Sequence, residues 1–422
     1  MERLSGEDAS WLHMESVENL MVVSGFLELG EPITLAQVEQ LLRDRLLPRY
    51  GRFSWRAVDE GAPHWEPAPD FDLGAHLQAI EPEPRDDCQL AELLGKWVSL
   101  PLDRTRPLWR MQLVPHYRGG SALLFQVHHA IADGFALLHV LRALCDPEAE
   151  VTMPRAVKRS HTAGELFADL AALARIVGSP VDSRTPLKGP LHVPKKVAWS
   201  QPIPVAEVKA AARAQRSTIN DLLIAAVAGA LRRYLLARDL EPDVHLHAMM
   251  PVNLRARGEA LAELGNRFGL VIFPLPIAVP DPLARLLEVK QRMSRYKSTP
   301  DAEVAMGLLQ LMGHLPRRAE RLLVSFFGAK ASAVLTNVPG PRTPLTLAGS
   351  PISRILFWVP QSGNLGLGIS LFSYSGQLTI GVISDAGLVP DPAQIVAHLT
   401  DELAALGVGG NPPPEQAHPA AP

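Results

Sequence analysis

His128-His129-Ala130-Ile131-Ala132-Asp133-Gly134 puts two histidines, a carboxylate and a glycine on one short segment with HHxxxDG spacing. A neutral imidazole, with an ordinary pKa near ~6.5, can take a proton from a hydroxyl or amine and return it to a leaving group. Such a base contributes roughly 10²- to 10⁴-fold in rate. Side chains alternate along an extended chain, so His128 and His129 are expected to face different ways, one working and one packing. Asp133 follows closely enough to orient the imidazole, to pair with an arginine and brace the turn, or to cap a helix. Gly134 is expected to permit a backbone shape that a Cβ would resist. The plainer alternatives are a surface or core His-His pair and a simple N-cap. A metal site is disfavoured, because adjacent histidines rarely share one ion whereas ligands at i and i+4 on a helix do so readily.

The apolar run Ser121 to Val127 reads as a buried strand, and Phe135 to Leu144 has apolar residues at helical spacing, so the motif lies where a strand hands over to a helix. An N-terminal lobe over 1–177 is expected to add a strand near Leu20 to Leu29 and helices near Leu35 to Leu46 and Gln89 to Val98. Residues 178–204, rich in proline and basic residues, read as a linker without a core element. A C-terminal lobe over 205–406 opens with helices at Val205 to Ala214 and Thr218 to Leu236. Strands are expected at Val244 to Pro251 and Leu270 to Ile277, and residues 407–422 as a disordered tail. Ile355 to Ser384 carries no charge, but its glycines and the Ser375-Gly376 step make it a hairpin and not a membrane span.

At 422 residues, with 47% apolar and 20% charged residues, the chain suits two core-bearing lobes. A net charge of -3 argues against nucleic acid as a partner. Two cysteines make no disulfide framework, which fits a reducing cytoplasm, and Met1 to Asp8 is too polar for a secretory signal. Val304 to Phe327, with Arg317, Arg318 and Arg321 after Pro316, reads as two core helices broken at the proline. The same segment also has the composition of a helix pair lying on an anionic membrane or lipid-droplet surface.

Further motifs accompany HHxxxDG: Leu4-Ser5-Gly6-Glu7-Asp8, Pro101-Leu102-Asp103-Arg104-Thr105-Arg106-Pro107-Leu108-Trp109, Asn220-Asp221, Pro251-Val252-Asn253-Leu254-Arg255, Gly265-Asn266-Arg267 and Asn337-Val338-Pro339-Gly340-Pro341. In this order they resemble the bacterial wax ester synthase/diacylglycerol acyltransferase family over nearly the whole chain. The resemblance implies an α/β (α+β) fold of chloramphenicol acetyltransferase type, with two lobes, mixed sheets and a tunnel between them. It implies acyl transfer from acyl-CoA to a long-chain alcohol or diacylglycerol, with acyl-CoA as substrate and no cofactor. His129 is then the general base, His128 the structural histidine, and Asp133 a brace through an arginine, with Arg255 as the candidate partner.

The tetrahedral intermediate of such a reaction needs oxyanion donors. Asn220 is the candidate, with a helix N-cap as its structural alternative, and Asp221 supports the helix dipole in either case. Asn337 is either a turn residue or a channel contact. Lys188 and the Gly366-Leu367-Gly368 segment depart from the family pattern, and Gly366 and Gly368 are candidates for lining a substrate pocket. Ser5 with Asp8 reads as a helix cap, and Trp109 as a fold determinant. A carrier-protein-dependent condensation-type acyltransferase, or a lipid-binding protein without activity, are the competing expectations.

Overall fold

The structure, a computed structural model, describes residues 2–61, 63–81, 84, 86–146, 163–254, 264–296, 299–361, 363 and 365–409. Arg255 and the tail beyond residue 409 lie outside them.

The chain opens with strand β1 (Glu2–Arg3) and helix α1 (Gly6–Met14), whose N-cap Ser5 accepts the Asp8 N–H at 3.1 Å. The apolar run that follows is β2 (Val22–Leu29). Thr34 and Gln37 form a reciprocal cap on α2 (Leu35–Leu41), which continues to Leu46 as a π-helical turn. Then come β3 (Trp55–Val58), β4 (His64–Pro67), β5 (Leu77–Ala79) and α3 (Asp87–Val98). The motif region follows as β6 (Trp109–Tyr117), β7 (Gly120–His128) and α4 (Gly134–Leu144), and α5 (Ala163–Gly178) closes this half.

The second half starts inside the expected linker, with β8 (Lys195–Trp199) and β9 (Ile203–Pro204). Helices α6 (Val205–Ala214) and α7 (Ile219–Leu236) follow, then β10 (His247–Asn253) and β11 (Phe268–Pro274). Three helices, α8 (Pro282–Tyr296), α9 (Asp301–Met312) and α10 (Arg317–Gly328), precede β12 (Ala333–Pro339), β13 (Thr346–Leu347) and β14 (Ser350–Trp358). The hairpin of β15 (Leu367–Tyr374) and β16 (Gln377–Asp385) and the helix α11 (Pro392–Ala405) end the fold. Ser375 and Gly376 both have positive φ, 47° and 77°, as a two-residue hairpin turn with the strands' own twist requires.

Two large sheets carry the molecule. The first runs β13-β14-β2-β7-β6-β5; the second runs β11-β10-β12-β15-β16-β8, with β9 also on β16. A small sheet, β1-β4-β3, stands beside them. Sheet membership corrects the expected lobe boundaries in two places. β14, from the last third of the chain, pairs antiparallel with β2 and completes the first sheet. β8, inside the expected 178–204 linker, pairs with β16. Its basic residues hid it: Lys195 is buried, with Nζ 2.8 Å from Asp385 Oδ2, and Val197 packs in one cluster with Leu94 and Trp358. A lysine stem can line a core when its ammonium is paired.

In the second half, α7 is buried almost all round and packs against α8 and α11. Arg285 of α8, fully buried, donates to Glu402 of α11, which also accepts from Arg233 Nε at 2.5 Å. The break at Pro316 falls where expected, but only Glu320 and Gly328 of α10 are buried. That corrects the reading of α10 as a core helix.

Candidate active site

β7 is central in its sheet, and its last residue, His128, is paired with Val22 of β2. The chain then leaves the sheet, so the two histidines diverge. His128 turns inward, completely buried; its Nδ1 accepts the Ala130 N–H at 3.0 Å, which leaves the proton on Nε2, 3.1 Å from Glu15 Oε2. Arg104 holds the other oxygen of Glu15 at 3.1 Å, so the PLDR element acts as a brace for the buried histidine. Burial alone raises the Glu15 pKa, but the contact with His128 and the charge of Arg104 outweigh it, and the carboxyl sits below its ordinary value.

His129 faces a cavity between the two sheets. Trp11 stacks on its ring with centroids 4.1 Å apart, and Phe268 lies 5.6 Å away on β11. The cavity is lined from the first half by Trp11, Val23, His129 and Gly134, and from the second by Met249, Asn253, Thr336 and Asn337. His129 Nδ1 is 2.7 Å from Asn266 Oδ1. The Asn266 amide is held on its other side, because Nδ2 donates to Asp8 Oδ1 and to the His129 carbonyl, both at 2.8 Å. A backbone carbonyl can only accept, so the amide oxygen must face the ring and Nδ1 must carry the proton. Nε2 therefore keeps its lone pair. Burial pushes the His129 pKa down to about 4, against the smaller raising effects of Asp133 and Asn266, so the ring is neutral at physiological pH.

Asp8 is thus more than a helix residue. It is 1% exposed, and Arg52 Nη1 meets its Oδ2 at 3.0 Å while also donating to the carbonyls of Ala130 and Ile131. Burial raises the Asp8 pKa, opposed by Arg52 and Asn266. The Gly265-Asn266-Arg267 segment had no assigned role from sequence, and the roles of Asp8, Arg52 and Glu15 were missed as well. Only the presence of Asp8 and Asn266 in the ordered motifs pointed to them.

Asp133 caps α4: Oδ1 accepts the Ala136 N–H at 2.9 Å, and Oδ2 accepts the Arg267 backbone N–H at 3.0 Å. It ties the motif to the Asn266 segment through backbone, and Gly265, at φ 128°, makes the bend. The expected partner Arg255 lies outside the described residues. Gly134 is the first residue of α4 and has no positive φ, and a Cβ there would meet nothing within 4 Å. The expected backbone reason for this glycine is corrected: a side chain would fit the backbone but would project into open space.

Asn220 is not an N-cap. Thr218 caps α7 in a reciprocal pair with Asp221, whose Oδ2 accepts the Thr218 N–H at 3.0 Å. Asn220 Oδ1 instead accepts from Asn337 Nδ2 at 3.1 Å. Asn337 lies in strand β12 and lines the His129 cavity, so the turn alternative falls. Gly366 and Gly368 are not among that cavity's lining residues: Cβ atoms there would meet Leu388 and Ile383. Trp109 is buried and donates Nε1–H to the Phe53 carbonyl at 2.7 Å, as a fold determinant should. Lys188 Nζ donates to the Ala329 and Ala331 carbonyls just past α10.

The model of the wax ester synthase/diacylglycerol acyltransferase catalytic domain matches residues 4–165, and the model of the WS/DGAT C-terminal domain matches residues 264–407. A probable diacylglycerol O-acyltransferase of Mycobacterium tuberculosis is 30% identical over 445 aligned positions, covering 96% of each chain. The chain belongs to the wax ester synthase/diacylglycerol acyltransferase family. It is an acyltransferase, and its reaction is the acyl transfer that forms a wax ester or a triacylglycerol. Among solved structures, the WS/DGAT from Marinobacter aquaeolei VT8 is similar with a TM-score of 0.72 at 23% identity, over 97% of this chain and 99% of that one. The trichothecene 15-O-acetyltransferase from Fusarium sporotrichioides has a TM-score of 0.65 at 13% identity, over 96% and 94%. These likenesses show the fold, which is that of the condensation-domain and chloramphenicol acetyltransferase-like enzymes. No helix among the described residues is long and apolar enough to cross a membrane.

Proposed function

We propose that this family member takes its acyl group from a fatty acyl-CoA thioester and that His129 Nε2 is the general base. The observation that carries the assignment is the clamped Asn266 amide, which fixes the proton on Nδ1 and leaves Nε2 basic beside the cavity. The acceptor hydroxyl gives its proton to Nε2 as its oxygen bonds to the thioester carbonyl carbon. The negative charge of Asp133, which raises the imidazole's proton affinity, favours the imidazolium at that moment. One Asn337 N–H is spent on Asn220, and the second serves the oxyanion, so Asn220 is a positioning residue for that donor. The C–S bond then breaks and the imidazolium returns its proton to the departing thiolate. No cysteine nucleophile takes part in this scheme: Cys88 is exposed and outside the cavity, and burial pushes the Cys145 thiol up to about 12.

Lipid substrates also give the outer face of α10 a role. Leu322 and Phe326 are 73% and 39% exposed, and Arg317, Arg318 and Arg321 flank them on the same helix. This pattern suits a helix lying on an anionic lipid surface. The enzymatic reading is tested by CoA thiol release from palmitoyl-CoA with hexadecanol and dipalmitoylglycerol in separate reactions. Acceptor-dependent release supports it and ranks the acceptors; a folded protein that releases no thiol with either alcohol refutes an acyl-CoA donor.

A further inference from the structure

The small sheet β1-β4-β3 brings two groups to one side chain. Glu2 on β1 and Trp65 on β4 are register partners, and both meet Arg52: its Nη2 lies 2.6 Å from Glu2 Oε1, and its guanidinium carbon stands 5.1 Å over the Trp65 ring. Arg52 comes from the short helical turn Gly51–Phe53 and is 7% exposed. The other edge of the guanidinium faces the motif, where three acceptors converge on Nη1: Asp8 Oδ2 at 3.0 Å, the Ile131 carbonyl at 3.1 Å and the Ala130 carbonyl at 3.2 Å. Two of these belong to the residues directly after His129, whose own N–H donates to the Met21 carbonyl at 2.7 Å. The third, Asp8, accepts from Asn266 Nδ2 at 2.8 Å, and the Asn266 amide oxygen faces His129 Nδ1.

We propose that Arg52 is the positioning residue of the catalytic turn, holding the backbone after His129 through two carbonyls and the His129 tautomer through Asp8 and Asn266. The inference rests on His129 as the base. Buried acceptors left without a donor cost free energy, and a buried carboxylate needs a counter-charge as well. Arg52 supplies both from one nitrogen, and its charge opposes the effect of burial on Asp8. Removing it leaves Asp8 buried without its cation and two carbonyls without their donor, so the turn must shift or Asp8 must take up a proton. Either change loosens Asn266. A displacement of about 1 Å at a catalytic group costs roughly 10²-fold in rate, even when the altered residue lies away from the chemistry. Arg52 is such a residue, since it is not part of the lining of the His129 cavity. A lysine ammonium has three donors and can stand in for Nη1, but it cannot also keep the paired contacts to Glu2.

The test compares wild type with Arg52→Met, Arg52→Lys and the double variant Arg52→Met with Asp8→Leu. The double variant removes both buried charges at similar volume, so it folds where Arg52→Met alone leaves a bare carboxylate. Steady-state transfer from palmitoyl-CoA to hexadecanol gives kcat and KM. Nitrogen NMR of histidine-labelled protein, with His129→Gln to assign the signal, shows which ring nitrogen carries the proton. Arg52→Met and the double variant should each lose at least about 100-fold in kcat with KM within about threefold, and His129 should change from a single Nδ1–H form to a mixture. Arg52→Lys should stay within about tenfold of wild type in kcat and keep the single form. A folded Arg52→Met or double variant that keeps kcat within tenfold, or keeps the single tautomer, would overturn the proposal, as would a wild type whose His129 is already a mixture. The spectra need no substrate, so failure of acyl-CoA as the donor, seen as an inactive wild type, is told apart from failure of the brace.

Discussion

Lowering the pH from 8 to 4 must charge His129 against its surroundings. In the folded chain burial holds its pKa at about 4, while an unfolded histidine titrates near ~6.5. Between those values the unfolded chain binds a proton that the folded chain does not. Stability therefore rises with pH in that window: it is fully present above about 6.5 and lost progressively as pH falls toward 4. The gap is roughly two and a half pH units at about 1.36 kcal/mol each, or about 3 kcal/mol for this one group. Urea unfolding of wild type and His129→Gln at half-unit pH steps isolates it, because the other titrating groups are common to both. His13, for example, is held up at about 9 by the hydrogen bonds its ring donates to the carboxylates of Asp59 and Glu320, and contributes the opposite slope, above pH 6.5, in each protein. The wild-type minus variant difference should fall by about 3 kcal/mol from pH 7 to pH 4. A difference constant within about 0.5 kcal/mol, or one centred on an ordinary histidine pKa, would refute the buried neutral imidazole.

Asn266→Ala removes the acceptor that fixes the tautomer; transfer should fall by roughly 10²-fold or more in kcat with little change in KM, and a loss under tenfold in steady-state assays would contradict the clamp. Arg285→Met leaves Glu402 buried without its fully buried partner and should cost about 3–5 kcal/mol in urea unfolding, whereas a cost below 1 kcal/mol would show Arg233 to suffice. Leu322→Asp combined with Phe326→Ser should leave the melting temperature nearly unchanged, since both side chains are exposed, while weakening sedimentation with anionic vesicles; equal binding would remove α10 as the lipid-facing element.

The strand, turn and helix around HHxxxDG were legible because their signals are local: an apolar run, a capping aspartate, and apolar residues at helical spacing. The expectation that His128 and His129 face different ways came from strand alternation, whereas in the structure β7 ends at His128 and the chain leaves the sheet there. What sequence could not supply was contact between distant segments. Asn266 reaches His129 across 137 residues and Asp8 across 258, and no local pattern links them. β14 was read as part of an apolar stretch, but its membership of the first sheet depends on pairing with β2, which periodicity does not encode. β8 was missed because a proline-rich, basic composition outweighed the buried Val197 and the paired Lys195. Gly134 was noticed for the wrong cause, since backbone strain and open space leave the same residue in a sequence.

The central claim is that His129, and not His128, performs the proton transfer. CoA release from palmitoyl-CoA by purified His129→Ala and His128→Ala, each checked for folding by circular dichroism, tests it directly. The account predicts that the His129 variant loses roughly 10²- to 10⁴-fold in kcat/KM. It predicts that the His128 variant's main defect is stability, because Glu15 loses a buried partner. A folded His129→Ala enzyme retaining activity within tenfold of wild type would contradict it.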